Sequence, residues 1–217
     1  MKNKSKWYIF VVIFSVSLFV STAIRAEGAA VNDEIVEQGQ TAKEIVFEFQ
    51  SVLIGSMKQG DKLVFKERCQ YLKEPILDSH DVLKSLRTIV GSKEWRGFTG
   101  EQKRLLTEVF TNFIISTYAF NFNAFSNESF TYVSERMTKK GNVIVRSVLN
   151  IPDGKRSKVT FDYGLRKTSA GWRIYNIAAD GVSDLATRRS EYRRVLAGDG
   201  FDALIAIINK KIDNYAK

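Results

Sequence analysis

The chain has little of the chemistry that enzymes and metalloproteins usually need. Among its 217 residues are one histidine, one cysteine and two prolines. A Ser-His-Asp triad would depend on His80, no G-x-S-x-G nucleophile elbow is present, and one histidine with one cysteine cannot supply the usual ligands of zinc. No glycine-rich loop matches a dinucleotide or phosphate cradle. The sequence therefore argues against an enzyme and predicts neither a metal nor a cofactor.

The remaining reactive residue types have ordinary explanations. His80 lies near Asp78 and Asp81 at the start of a predicted helix, which indicates a surface or capping role. Cys69 is alone, so no intramolecular disulfide can form, and its helical position predicts a buried thiol. Asp153 falls in a turn, and Asp162 alternates away from the apolar side of a strand. We therefore predict no acid/base pair in a cleft.

The first 26 residues have the pattern of a cleaved signal peptide. Three lysines precede an apolar run from Trp7 to Val20, and small residues follow it. The run is about 14 residues long, whereas a membrane-crossing helix needs roughly 20. We expect cleavage after Ala26, with Ala23 as the alternative, and export to the periplasm. An uncleaved N-terminal anchor is the competing interpretation.

Residues 27–217 have the length of one domain, and no linker or internal repeat divides them. Removal of the first 26 residues takes away four cations and no acid, which lowers the formal net charge from +9 to +5. This moderate charge suits an anionic surface or partner. It is too small to indicate nucleic acid, and no repeat of basic and aromatic residues supports nucleic-acid binding.

Hydrophobic spacing predicts helices before and after a block of strands. The predicted helices are Val31–Gly55, Asp61–Leu72 with Pro75 as its stop, Asp78–Val90 with Gly91 at its end, Thr99–Phe125 with a Thr99/Gln102 capping box, Ser183–Leu196 capped by Ser183, and Asp199–Ala216 capped by Asp199. The predicted strands are Phe130–Thr138, Asn142–Ile151, Lys158–Thr168 and Trp172–Ala179. Short turns between them favour an antiparallel meander. The fold class is α+β, a helical layer on a four-stranded antiparallel sheet.

Aromatic residues are the strongest positive signal in the chain, with fifteen Phe, eight Tyr and three Trp. The long helix over 99–125 is apolar on more than one side, so it must be buried on more than one side. In the third strand Val159, Phe161, Tyr163 and Leu165 share one face. A filled core and an apolar ligand cavity have the same composition, so both interpretations stand at this point.

Two ordered sets of residues carry a resemblance to a known family. The first is Val90-Gly91, Trp95, Thr99-Gly100-Glu101-Gln102, Phe110, Ile114 and Tyr118. The second is Phe161-Asp162-Tyr163, Leu165, Thr168, Gly171-Trp172, Ile174-Tyr175-Asn176, Gly181-Val182-Ser183, Arg189-Ser190 and Asp202-Ala203-Leu204-Ile205. Over roughly residues 34–211 they resemble the MlaC or toluene-tolerance family of periplasmic phospholipid-binding proteins. Arg188 departs from that pattern, since the family usually has an aromatic residue there, and Phe120 and Phe122 make the end of the long helix bulkier.

The resemblance implies a helical layer over the sheet with lipid tails in an apolar cavity between them. The residues expected against the tails are Phe110, Phe113, Ile114, Tyr118, Val143, Val145, Phe161, Tyr163 and Leu165. Arg188, Arg189 and Arg193 are expected to contact a phosphate headgroup or an acidic partner, with a solvated helix face as the alternative.

The resemblance also implies a function and partners. It implies shuttling of phospholipid between an inner-membrane ABC-transporter complex and an outer-membrane lipoprotein–porin complex, which maintains outer-membrane lipid asymmetry. We expect such a carrier to be a monomer. The competing functions are a carrier of another apolar lipid such as a hopanoid, a ligand-free interaction protein of the envelope, and, last, a hydrolase on a cone-shaped α+β fold.

Overall fold

A computed structural model describes residues 40–152 and 157–217 of the chain. The predicted signal peptide, the first part of the helix predicted from Val31, and Asp153 lie outside the described residues. Within these residues no helix has both the length and the apolar composition that crossing a bilayer requires.

Along the chain, the described residues form helices before and after one block of strands, in the order that the sequence predicts. The helices are α1 (Ala42–Gln59), α2 (Phe65–Ser79), α3 (Val82–Val90), α4 (Ser92–Gly97), α5 (Gly100–Asn121), α6 (Asp184–Gly198) and α7 (Gly200–Tyr215), with a 3-10 turn at Gly60–Lys62 between α1 and α2. The strands are β1 (Ser129–Met137), β2 (Val143–Asn150), β3 (Lys158–Thr168), β4 (Gly171–Ala179) and β5 (Val182–Ser183). The short helix α4 was not predicted.

The sheet is an antiparallel meander in the order β1-β2-β3-β4-β5, which confirms the α+β class. It has five described strands rather than the predicted four, because residues 182–183 pair with the end of β4. The turn between them places Asp180 and Gly181 at positive φ, which folds the chain back sharply enough for this added pairing. The fifth strand is only two residues long, too short to show as a hydrophobic pattern.

Three of the predicted caps are present and Asp199 is not one of them, while α2 begins at Phe65 rather than Asp61 and α3 at Val82 rather than Asp78. The Thr99 hydroxyl accepts from the Gln102 amide and the Gln102 side chain accepts from the Thr99 amide, so the capping box at α5 is confirmed. Gly91 ends α3 with a φ of 100°, and Ser183 caps α6. Asp199 precedes α7 but makes no side-chain cap. It also ends α6, and its backbone is close to helical, a geometry that does not suit N-capping.

Pro75 does not stop a helix, contrary to the prediction, but lies inside α2. A proline within a helix removes one backbone hydrogen bond and clashes with the preceding turn, at a cost of about 3 kcal/mol. Leu72 and Ile76 on either side of it are both fully buried. Their packing offsets the local cost and carries the helix on to Ser79.

The helices divide into two groups around the sheet. Helices α3, α5, α6 and α7 pack on one another around a core that includes Leu86, Leu106 and Leu204, each fully buried. Helices α1 and α2 cover the sheet, where the side chain of Gln50 in α1 bonds to Ser147 in β2. Helix α5 belongs to both groups, because it contacts both α2 and α7. The side of the sheet that faces α1 and α5 therefore holds the interior in which a site was predicted.

Candidate functional site

The inner face of the sheet is a continuous apolar surface across β2 and β3. Val143 lies opposite Leu165, and Val145 lies opposite Tyr163. All four side chains are at most 3% exposed. Phe161 continues the same face opposite Ser147, where it is only half-buried and its ring lies 6.1 Å from the ring of Phe130. The structure thus brings together the five strand residues of the predicted lipid site.

The four predicted residues of α5 do not all face this sheet. Phe110 and Phe113 lie in the helical core, where their rings are 6.3 Å from Tyr192 and 6.1 Å from Tyr215 respectively. Ile114 packs against the same core. Tyr118 differs, because its ring lies 5.0 Å from Phe49 of α1 and its hydroxyl is close to Tyr163. Tyr118 therefore belongs with the sheet residues, whereas the other three belong to the packing of α5 against α6 and α7.

A buried polar group that was not predicted interrupts the apolar sheet face. The amide of Gln50 donates to the Ser147 hydroxyl over 2.7 Å, and both residues are buried. The Tyr163 hydroxyl lies beside them, and burial raises its pKa despite the hydrogen bonds from Gln50 and Ser147. A sequence signal for this group existed, since Gln50 shares the apolar side of α1 with Val46 and Ser147 alternates with Val145.

His80 ends α2, where its backbone amide donates to the Ile76 carbonyl, but its half-buried ring faces the interior rather than the predicted surface. Its ring packs edge-on against Phe49 at 4.7 Å, and its Nε2 atom lies 3.2 Å from the Tyr118 hydroxyl. The Ser79 hydroxyl lies 2.9 Å from Nδ1. Burial lowers the pKa of His80 to about 4 and raises that of Tyr118. Both rings are therefore uncharged at neutral pH, so this polar cluster adds no charge to the interior.

A depression of about 410 Å³ reaches this cluster from the surface. Its apolar wall comes from α1 and α2 and includes Phe49 and Pro75, and Ser79 adds a hydroxyl to the lining. Glu48, Asp78 and Arg173 form its charged rim. The volume is within the range of small-molecule pockets. A cavity that holds two acyl chains stays a prediction.

Arg188 points inward and is mostly covered, with 13% of its side chain exposed. Its guanidinium lies over the Phe113 ring at 4.3 Å, and its Nε donates to Asp184 over 2.6 Å. Burial opposes the charge, but the nearby Asp184 carboxylate outweighs it and the pKa of Arg188 is raised. The neighbouring Tyr192 hydroxyl is buried without a well-aligned hydrogen-bond partner among the described residues. Arg188 is thus a permanent cation that lies between Phe113 of the helical core and Tyr118 beside the sheet.

The other two predicted arginines face a different part of the surface. Arg189 and Arg193 line a cleft between α3, α6 and β3, which Arg188 does not reach. The sequence predicts one role for all three arginines, and the structure divides them. The turn of α6 separates them, because consecutive helical residues point about 100° apart.

The described residues hold no cluster of metal-ligating side chains. Asp162 lies on the outer face of the sheet, as predicted, where both of its oxygens bond to Arg146. This ion pair lowers the pKa of Asp162, which suits a structural carboxylate rather than a general acid.

These elements define an α+β protein in which helices cover the apolar side of an antiparallel sheet. The family described as MlaC protein matches this chain over residues 49–210, about three quarters of its length. The chain belongs to the MlaC family.

A solved structure is similar in fold, with a TM-score of 0.72 and 22% sequence identity. It is the structure of the phospholipid-binding protein from Ralstonia solanacearum in complex with a phospholipid. The match covers 82% of the present chain and 100% of that one. At this identity the likeness shows the fold. A search of curated proteins gave no match to this chain.

Proposed function

We propose that this chain is a periplasmic phospholipid carrier that holds lipid tails between its helices and its sheet. The observation that carries the proposal is the apolar inner face formed by Val143, Val145, Tyr163 and Leu165, in a chain of the MlaC family. The phospholipid bound to the Ralstonia solanacearum protein of similar fold also supports it. The carrier has no enzymatic activity in this proposal, in which the described His80–Tyr118 and Gln50–Ser147 groups serve to satisfy one another.

A carrier of this kind has to shield both acyl chains from water. Each buried methylene favours the apolar phase by about 0.8 kcal/mol, so roughly 30 methylenes correspond to about 24 kcal/mol. The headgroup needs no such cover. The proposed tail contacts are the strand residues Val143, Val145, Phe161, Tyr163 and Leu165 with Tyr118 of α5. Phe110, Phe113 and Ile114 form the helical wall behind them.

Arg188 is the proposed contact of the lipid phosphate. It carries a permanent charge close to Tyr118 and Tyr192, and an arginine binds phosphate oxygens in a forked geometry. We expect Arg188→Met to reduce the amount of anionic phospholipid recovered with the protein, whereas Arg194→Met, at an exposed position of the same helix, leaves it unchanged. Equal recovery from both variants would exclude this role for Arg188.

The wider role belongs to the same proposal. The carrier is a monomer, released from its signal peptide after Ala26. It carries lipid between an inner-membrane ABC-transporter complex and an outer-membrane lipoprotein–porin complex, and so maintains outer-membrane lipid asymmetry. The net positive charge suits acidic partner surfaces and anionic membranes.

The first test is native mass spectrometry with lipid extraction on the mature protein purified from the periplasm. We expect about one phospholipid per chain. Recovery of a different apolar lipid, such as a hopanoid, would keep the carrier and replace its cargo. A stable protein without any lipid would contradict the carrier and favour a ligand-free interaction protein.

A pair of sheet variants tests where the tails lie. Val145→Gln places a polar amide on the inner face, whereas Val148→Gln makes the same change on the outer face of the same strand. We expect only the inner variant to lose bound phospholipid, measured by extraction from protein with unchanged far-UV circular dichroism. If a folded Val145→Gln protein keeps its normal lipid, the tails lie elsewhere. Phe161→Gln, at a half-buried position, gives a second inner-face variant.

A further inference from the structure

The cleft between α3, α6 and β3 is strongly basic. Lys84 and Arg87 approach it from α3, Arg166 from β3, and Arg189 and Arg193 from α6. The volume is about 420 Å³, which matches the size of small-ligand pockets. Three elements that are distant in sequence thus direct five cations into one concave space.

Two of these guanidinium groups are held in place by other parts of the fold. The Arg166 Nε donates to Asp81 Oδ2 over 2.6 Å, and the Arg193 Nε donates to the Ile89 carbonyl over 3.3 Å. Arg193 also lies against Gly91, where an added Cβ would approach its Nη2 to 2.4 Å. Gly91 therefore lets the Arg193 guanidinium pack on the backbone. Because Arg193 is already ordered, a ligand that binds it loses less free energy to side-chain entropy.

Acidic residues do not neutralise the cleft. Asp81 is the one acid among its lining residues, and its carboxylate is already used by Arg166 and by the cap of α3 at the Lys84 amide. Glu94 is not among the lining residues, but its Oε2 lies on the same side of Gly91 as the Arg193 guanidinium, 2.8 Å from the position of an added Cβ. Within residues 40–152 and 157–217, no carboxylate lies within ion-pair distance of Lys84, Arg87, Arg189 or Arg193. An excess of about three positive charges remains, and it raises the local concentration of anions.

We propose that this cleft binds the phosphoryl group of a small anionic ligand. Phosphate oxygens accept several charge-assisted hydrogen bonds at once, and forked guanidinium groups fit them in pairs. A concave site with fixed arginines favours a compact anion over the broad face of an acidic protein. Arg188 lies outside the cleft, so this site is separate from the interior and does not depend on the carrier proposal.

The test measures binding of two probes to the mature protein at constant ionic strength. Pyrophosphate represents a free phosphate anion, and glycerophosphoglycerol represents the phosphodiester of a lipid headgroup without its tails. Titration calorimetry gives the affinity, and thermal unfolding gives an independent readout, since a ligand that binds only the folded state raises the Tm. We expect at least one probe to bind.

Matched double variants locate the site. Arg87→Gln with Arg189→Gln removes two exposed cations of the cleft, and Arg104→Gln with Arg194→Gln removes two exposed cations outside it. We expect the first pair to weaken binding about tenfold or more and the second to leave it within about twofold. Should the first pair fold poorly, Lys84→Gln with Arg87→Gln confines the change to α3.

The two probes distinguish the possible sources of the phosphoryl group. Binding of glycerophosphoglycerol indicates the headgroup of a second lipid, apart from the cargo whose phosphate is assigned to Arg188, and binding of pyrophosphate alone indicates a free phosphate. No binding of either probe, or equal weakening by both double variants, would overturn the site. Lipid extraction from the same proteins distinguishes this result from the carrier proposal, because cleft variants are expected to keep their bound lipid.

Discussion

At the residue scale, the polar side chains beside the inner sheet face, unlike Arg188, are neutral and bond to one another. His80 lies between Phe49 and Tyr118, and its pKa of about 4 reflects the loss of water around the ring. Gln50 and Ser147 satisfy each other a short distance away on the sheet. A buried polar group without a partner is destabilising. Because these amides and hydroxyls are paired, they can be buried beside apolar side chains without that cost.

His80 should make the stability of the protein depend on pH in an acidic window. Its folded pKa of about 4 lies below the ordinary 6.5, so between these values the unfolded chain binds a proton that the folded protein does not. The contribution is complete above pH 6.5 and is lost as the pH falls toward 4, by up to about 3 kcal/mol. Denaturant unfolding at pH 7 and pH 4 measures it.

His80→Gln is the control for this effect, because glutamine can still bond to the Tyr118 hydroxyl but does not titrate. His80 is the single histidine of the chain, so the difference between the two proteins isolates its contribution from that of the carboxylates. The free energy of unfolding of the wild type should fall more steeply toward pH 4. Parallel pH profiles would show that the ring is protonated as readily in the folded protein as in the unfolded one.

At the element scale, the helices show where local sequence signals decide and where packing decides. The cap of α5 follows from Thr99 and Gln102 alone, because the capping box is made within four consecutive residues. Pro75 shows the opposite case, since the burial of Leu72 and Ile76 in the folded protein overrides a strong local stop signal. Tertiary contacts of this kind are not encoded in a short window of sequence.

Pro75→Ala should stabilise the protein. Alanine restores an amide donor for the Tyr71 carbonyl inside α2, and the gain should be about 2 kcal/mol after allowance for the freer unfolded chain. Urea unfolding of the variant measures the free energy. Glu74→Ala, at the exposed neighbouring position, should change it by less than about 0.5 kcal/mol. A loss of stability in Pro75→Ala would mean that the proline ring contributes more packing than its missing amide costs.

The candidate site could be predicted only in part, because local patterns are visible in the sequence whereas the packing of helices is not. Alternation in β3 identified Phe161, Tyr163 and Leu165 as one face, and the register with β2 adds Val143 and Val145 to it. Helix α5 is apolar on several sides, so its sequence cannot tell that Tyr118 faces the sheet while Phe110 and Phe113 face α6 and α7. The separation of Arg188 from Arg189 and Arg193 likewise depends on how α6 is rotated against α3.

At the scale of the whole molecule, the bound lipid should act as part of the core. A ligand that binds only the folded state stabilises it by about 2.7 kcal/mol at a concentration one hundred times its Kd. For a domain of this size that corresponds to a rise in Tm of roughly 5–10 °C. Delipidated protein should therefore unfold at a lower temperature and recover when phospholipid is returned.

The Val145→Gln variant provides the control for this prediction. If it no longer holds lipid, its Tm should not change when phospholipid is added, while that of Val148→Gln should rise like the wild type. An equal Tm for the lipid-bound and delipidated wild type would indicate that the core is already filled by side chains.

Strand β1 is the outermost strand of the described sheet, and its residues from Thr131 to Met137 are exposed. An open strand edge invites pairing with a second molecule and, at high concentration, aggregation. The register of β1 shifts between Tyr132 and Ser134, and such a bulge interrupts the regular row of donors and acceptors. A second chain can therefore pair with only a short stretch on either side of Val133, which limits edge-to-edge association.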